Sequence, residues 1–223
     1  MNAVDALVRS VSDSPALPRV LDRLQAQMAD EHRRRLDFYD WITPEIKAEF
    51  INGEIVMHSP ARDIHIVVSG RIYKLLDTFV ERRRLGKVRH EKALCTFPRN
   101  DYEPDVVFFG PEKSARINDQ TLRFPIPDLA VEVLSRSTED RDRGVKFEDF
   151  AREGVAEYWI VDPERRIVEQ YRGTGEGTYD LHARIDGGTI RSWTIEGFES
   201  DTAAFFDGDA HLERLHKMLT QIP

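Results

Sequence analysis

Two acidic residues stand against apolar runs, one at the start of its run and one inside it. Asp105 follows Pro104 and opens the apolar run VVFF. Glu132 sits inside PDLAVEVLS, in a stretch otherwise apolar from Leu129 to Leu134. A carboxylate buried in such a strand is unfavourable unless it is paired or binds a cation. Glu132 is therefore either a sheet-face carboxylate paired with an arginine or lysine, or a metal ligand. Asp105, taken alone, also reads as a strand-entry residue. If the two strands are neighbours, both carboxylates converge near one sheet end. That arrangement suits hydrolysis of a phosphodiester, in which one or two divalent cations neutralise the phosphate and acidify the attacking water. Hard cations such as magnesium prefer carboxylate oxygens. Lys146 offers a third group. It is either a lysine snorkelling at a helix edge or a cation that positions the water and offsets developing charge.

Other chemistries find little support. GTGEGT at 173–178 lacks the Lys-Ser/Thr of a phosphate loop and reads as a hairpin loop. The seven histidines (32, 58, 65, 90, 182, 211 and 216) form no HExxH pattern. No serine stands in a nucleophile elbow. The single cysteine, Cys95, lies in a strand and reads as a small buried residue. It cannot form an internal disulfide, and zinc-site cysteine spacing is absent. A reducing, cytoplasmic setting is expected.

The elements that must position these groups follow from periodicity. Residues 1–15 read as unstructured. Leu17, Val20, Leu21, Leu24 and Met28 recur at helical spacing, so 16–38 is expected to be an amphipathic helix that serves docking or dimerisation. AEFIN and EIVMHS flank Asn52-Gly53, a strong hairpin signal. Residues 61–84 read as a long helix ended by Gly86. Strands are expected over 87–97, 104–109 and 128–134, and a helix over 139–153. Phe147, Phe150 and Ala151 mark the buried stripe of that last helix, with Lys146 on its flank. A hairpin pairs 158–162 with 166–172, and 178–185 extends it. The order implies a mixed α/β fold around a central mixed sheet flanked by helices. The expected division is an N-terminal helical extension (1–40), a main domain (41–200) and a short acidic C-terminal helix (201–223).

Composition bounds the rest. The chain has 223 residues, 40% hydrophobic and 32% charged, enough apolar material for a core. No apolar stretch approaches the ~18 residues of a membrane span. The start, MNAVDALVRS, carries Asp5 and does not read as a secretory signal. The net charge of −8 argues against tight non-specific binding to nucleic acid. The charge is uneven: 81–92 carries six basic and two acidic residues, whereas 173–223 carries four basic and nine acidic. The basic stretch is either a solvated helix end or a phosphate contact.

As an ordered set, several stretches resemble the Uma-type family of restriction-endonuclease-like proteins, within the PD-(D/E)xK nuclease superfamily. They are AEFINGEIVMHSP (48–60), His65, RNDYEPDVVFF (99–109), FPIPDLAVEVLSRST (124–138), DRGVKFEDFAREGVAEYWIVDP (142–163) and VEQY (168–171). The resemblance spans about 33–185 and implies a restriction-endonuclease-like core and a magnesium- or manganese-dependent endonuclease acting on DNA. It implies metal-binding roles for Asp105 and Glu132. Leu134 stands where the superfamily motif has lysine, and Lys146 on the next helix matches the Uma-type pattern instead. The family also implies an N-terminal acidic residue, for which Glu54 is the first choice and Glu49 the second, and His65 is expected to line the cleft. Tyr158 and Trp159 match the family's Tyr-Trp pair and read as core. A homodimer is expected from cutting both strands of a duplex, with neither a membrane nor an organic cofactor involved. The alternative is an inactive nuclease-fold scaffold that binds nucleic acid or a protein.

Overall fold

The computed structural model describes residues 3–220; residues 1–2 and 221–223 of the terminal segments assigned above lie outside the described residues. The chain begins with α1 (Ala3–Ser12) and α2 (Leu17–Trp41), then β1 (Ala48–Ile51), β2 (Glu54–Met57) and α3 (Asp63–Arg83). Next come β3 (Lys87–His90), β4 (Leu94–Thr96), β5 (Asp101–Tyr102), β6 (Val106–Phe109), α4 (Pro111–Ser114), β7 (Arg123–Phe124) and β8 (Leu129–Val133). After these follow α5 (Glu139–Asp142), α6 (Val145–Arg152), β9 (Glu157–Asp162), β10 (Ile167–Gly173) and β11 (Tyr179–Ile185). The last elements are β12 (Thr189–Arg191), β13 (Glu199–Asp201), α7 (Ala203–Phe206) and α8 (Gly208–Thr220).

Two larger sheets form the centre. One has strand order β11-β10-β9-β8-β6-β3, and the other β2-β1-β5-β4-β7. The first is mixed, because β8 and β9 run parallel while its other pairs are antiparallel. Strand alternation divides its side chains between two cores. Val106, Phe108, Leu129, Val131 and Trp159 face the apolar stripe of α3 (Val68, Ile72, Leu75, Leu76 and Phe79), together with Phe205 of α7 and Met218 of α8. Val107, Phe109, Ala130, Tyr158 and Ile160 face the other way, towards Phe150 of α6 and Ile51, Cys95 and Tyr102 of the second sheet. A third cluster, Phe38 with Phe50 and Leu94, sets α2 on that sheet. Arg35 fastens it: Nε and Nη2 donate to the buried Asp101 carboxylate at 2.7 and 2.8 Å.

Local geometry follows residue chemistry. Asn52 (φ 50°) and Gly53 (φ 83°) make the tight β1–β2 turn. Gly86 (φ 147°) follows α3 because a Cβ there would lie 2.0 Å from the Phe109 carbonyl oxygen.

Three expectations are corrected. Residues 3–12 form a helix rather than an unstructured lead. The strand expected over 87–97 divides between the two sheets, since Glu91 (φ 53°) and Lys92 (φ 40°) turn the chain through left-handed conformations. The helix expected over 139–153 breaks at Gly144, where a Cβ would lie 2.6 Å from the Asp140 carbonyl oxygen.

Glu157 is a buried carboxylate of a different kind. Its Oε1 accepts from Trp159 Nε1 and Gln170, and its Oε2 from Ser192, the Trp193 and Thr194 amides and the Thr194 hydroxyl. Every donor is neutral, so the carboxylate pins the 192–194 turn to β9 and β10 without a salt bridge. Glu157→Gln turns an amide NH2 onto at least two of these donors. It is expected to cost about 2 kcal/mol, read as a lower urea midpoint at unchanged m-value.

Candidate active site

The β6–β8 register pairs Val106 with Val131. One step further, Asp105 stands across from Glu132. Alternation puts both side chains on the face that carries Val107 and Ala130, towards the second sheet. β1 delivers Glu49 from that sheet, and the α5–α6 segment delivers Asp142 and Lys146 four residues apart. All five groups are buried, and Lys146 is only 2% exposed.

Lys146 is the hub. Its Nζ lies 2.8 Å from Glu49 Oε1, 2.8 Å from Glu132 Oε1 and 3.4 Å from Asp142 Oδ1. Burial alone would discharge a lysine, but three carboxylates hold its pKa well above the ordinary value. The carboxylates respond unequally. Burial raises Glu49, yet Lys146 and His58 outweigh it and hold it at about 2. Glu49 Oε1 also accepts the Glu103 amide at 2.9 Å, and its Oε2 lies 3.5 Å from His58 Nε2. Glu132 has Lys146 as its one donor among the described residues. Burial therefore pushes it well up, with Asp142 and Asp105 adding repulsion. Asp142 is raised by burial as well.

Asp105 is held differently. Its Oδ2 accepts the Val133 amide at 2.8 Å, and its Oδ1 lies 3.1 Å from His65 Nε2. Burial raises it, but the hydrogen bond and charge of His65 lower it below the ordinary range. His65 rises in turn, the bond to Asp105 outweighing its own burial. Glu103, next to Pro104, is pushed up to about 7 by burial, with Lys47 partly offsetting.

One cleft of about 330 Å³ is walled by His58, His65, Glu103, Asp105, Glu132 and Lys146, with Lys47, Arg62, Arg136 and Arg141 around it. Glu103, Asp105 and Glu132 give the cleft hard carboxylate oxygens, and Glu103 Oε2 is buried there without a hydrogen-bond partner, as are Glu49 Oε2 and both Asp142 oxygens around Lys146. That donor chemistry fits magnesium or manganese. Among the described residues, no group of three ligating side chains is already assembled as a cage. Magnesium characteristically takes one or two protein carboxylates and completes its shell with water and substrate phosphate, so two facing carboxylates remain a fitting set.

Asp105, Glu132, Lys146 and His65 are thus together. Glu54 is not: its carboxylate is 76% exposed and pairs with Arg34 at 2.9 Å, outside the cleft. Glu49, fully buried on the preceding strand, is the N-terminal acid in the cluster. Glu49 gives the signal that singled out Glu132, an acid between apolar strand residues (Ala48 and Phe50). Asp142 could have been found as the residue four before Lys146. The basic residues at 82–87 lie away from the cleft, although the segment ends beside it, where the Glu91 amide donates to the Asp105 carbonyl at 3.0 Å. Lys87 pairs with Phe109 at the far end of β6 and donates to the Ile117 carbonyl, while Arg83 stacks on Phe79. Besides Lys146, the lysines and arginines that line the cleft are Lys47, Arg62, Arg136 and Arg141.

The family model Uma2, described as "Putative restriction endonuclease", matches residues 35–203. Among solved structures, the chain is similar to "a putative nuclease belonging to DUF820" from Anabaena variabilis ATCC 29413. The TM-score is 0.64 at 17% identity, covering 80% of this chain and 96% of that one. At that identity the likeness speaks for the fold. No curated protein matches the chain. No helix among the described residues is long and apolar enough to cross a membrane.

Proposed function

Because the chain belongs to the Uma2 family, we propose that the Asp105–Glu132 cleft is a metal-dependent phosphodiesterase site acting on DNA as an endonuclease. One observation carries this reading: two carboxylates on facing strands share a buried cleft with a lysine that bridges three acids. Asp105 and Glu132 would hold magnesium or manganese, which supplies charge neutralisation at the phosphate and a more acidic water. Lys146 fixes Glu132 and Glu49 and opposes negative charge developing at the phosphate. Glu49 keeps Lys146 in register. His65 orients Asp105. The reading takes 41–200 as the catalytic unit, with 1–40 and 201–223 as extensions, in a reducing cytoplasmic setting. It includes a two-fold dimer, for which exposed Leu21, Leu24 and Met28 of α2 supply apolar surface. A strict monomer in light scattering would remove that part.

The test is cleavage of single-stranded DNA with manganese by two glutamate variants. Glu54→Gln is expected to cleave at the parental rate, since it loses only an exposed pair worth under about 1 kcal/mol. Glu49→Gln is expected to lose at least about tenfold, because Lys146 loses a charged partner. Equal rates for both variants would place Glu49 outside the chemistry. The contact of Lys146 Nζ with Glu132 Oε1 at 2.8 Å, an oxygen that a cation would have to share, favours a second reading, the inactive scaffold. Calorimetry decides between them: a scaffold takes up neither magnesium nor manganese.

A further inference from the structure

We propose that Arg136 and Arg141 form a phosphate-binding subsite for a polynucleotide strand, next to the Asp105–Glu132 cleft; this rests on the phosphodiesterase reading of that cleft. Both belong to the segment that links β8 to α6, and both line the cleft. Arg136 also lines an adjoining pocket of about 310 Å³ that shares Arg62, His65 and Ser135 with it. The strand's path is thereby longer than one phosphate.

The partners of the cations single these two out. Arg62 pairs with Glu164 at 2.9 Å, Arg165 with Asp162 at 3.5 Å and Lys47 with Glu91 at 3.1 Å. The side chains of Arg136 and Arg141 make no hydrogen bond or ion pair among the described residues, and Arg141 Nε is buried without a partner. A buried orphan donor costs stability, and in a chain of net charge −8 carboxylates to pair it are plentiful. Two acids of the same segment face other cations: Glu139 pairs with Arg143 at 3.0 Å, and Asp142 lies 3.4 Å from Lys146 Nζ. A planar guanidinium left open beside carboxylates fits a bidentate phosphate oxygen pair. Hydroxyls of Ser135, Ser137 and Thr138 line the same wall and add donors.

The substrate class narrows accordingly. A strand places a second phosphate beside the scissile one, whereas a small phosphomonoester or single phosphodiester has none to offer. The acidic chain then binds through a local contact rather than through its net field.

The experiment is fluorescence anisotropy with a labelled single-stranded oligodeoxynucleotide in chelator, across a salt series. It compares the parental chain, Arg136→Gln, Arg136→Gln/Arg141→Gln and Arg116→Gln, an exposed arginine away from the cleft. The double variant is expected to bind at least about tenfold more weakly. The slope of log affinity against log salt is expected to shrink by about 0.7 per arginine lost. Arg116→Gln is expected to match the parent. Undiminished affinity with an unchanged slope in both cleft variants overturns the subsite, and so does a parental chain that does not bind. A parental chain that binds but never cleaves refutes the phosphodiesterase reading, while the variant comparison still decides the subsite. Loss of binding in the double variant counts only if its circular dichroism matches the parent; if it does not, the affinity and salt slope of the single Arg136 variant decide.

Discussion

Lys146→Met is expected to lower unfolding stability by about 3–5 kcal/mol and to abolish cleavage. The stability loss comes from the partners left behind. Lys146 is the shared cation of Glu49, Glu132 and Asp142, and breaking a buried ion cluster on one side leaves uncompensated charge. Methionine matches the stem volume, so packing contributes little. The loss depends on pH. Without the ammonium, burial and mutual repulsion raise the folded-state pKa values of the three carboxylates above their unfolded values of about 4. Glu132 and Asp142 are raised even with the ammonium present. An acid whose folded pKa is raised binds protons preferentially in the folded state. Its contribution is best below the unfolded pKa and is lost as pH rises through the folded one. The variant is therefore expected to lie closest to the parent near about pH 5 and furthest from it at about pH 8. Urea unfolding at both pH values checks this. A small, pH-independent loss would mean that the cluster does not depend on Lys146.

Asp105→Asn is expected to reduce metal-dependent cleavage by about 10²–10³-fold while shifting stability by about 1 kcal/mol or less. The substitution keeps an oxygen for the Val133 amide, the bond that ties β6 to β8 beyond their register. It removes the charge that a cation and His65 both use. His65 can turn its neutral, accepting tautomer towards the new amide, so the local fold survives. The ligand is lost and the scaffold is kept. Single-turnover cleavage beside a thermal melt separates the two effects. Unchanged cleavage would return Asp105 to a strand-entry role, and a collapsed melt would make it structural.

Much of this arrangement is legible in the sequence, for identifiable reasons. Glu132 stands out because a charge inside an apolar strand breaks a pattern that burial enforces, and Asp105 because it follows a proline and opens an apolar run. Lys146 stands out because helical spacing puts it beside the Phe147–Phe150 stripe. The Asn52-Gly53 hairpin and the α3 stripe are local signals and appear where expected. What is not legible is what depends on one segment meeting another. Glu54 and Glu49 sit on adjacent strands of one hairpin, and only the packing of β1 against β5 decides that Glu49 turns inward. The turn at Glu91 and Lys92 carries no glycine, so nothing local announces that the chain changes sheets there. Arg136 and Arg141 lie in a segment with no periodicity, and their significance comes from the absence of partners among the described residues. In the basic run at 81–92, the most conspicuous cationic feature of the sequence, Lys87 lies at the far end of β6, and what the run brings to the cleft's edge is the acid Glu91.

The most direct test of the site is cleavage of supercoiled plasmid and single-stranded DNA with magnesium, manganese or chelator, by the parental chain and by Glu132→Gln. Among the described residues Glu132 has no structural donor but Lys146, so its amide variant should keep the fold while losing the charge that a cation needs. The predicted result is cutting that requires the metal, stops in chelator and disappears in Glu132→Gln. Cutting that persists in the variant or in chelator would contradict a metal site built on Asp105 and Glu132.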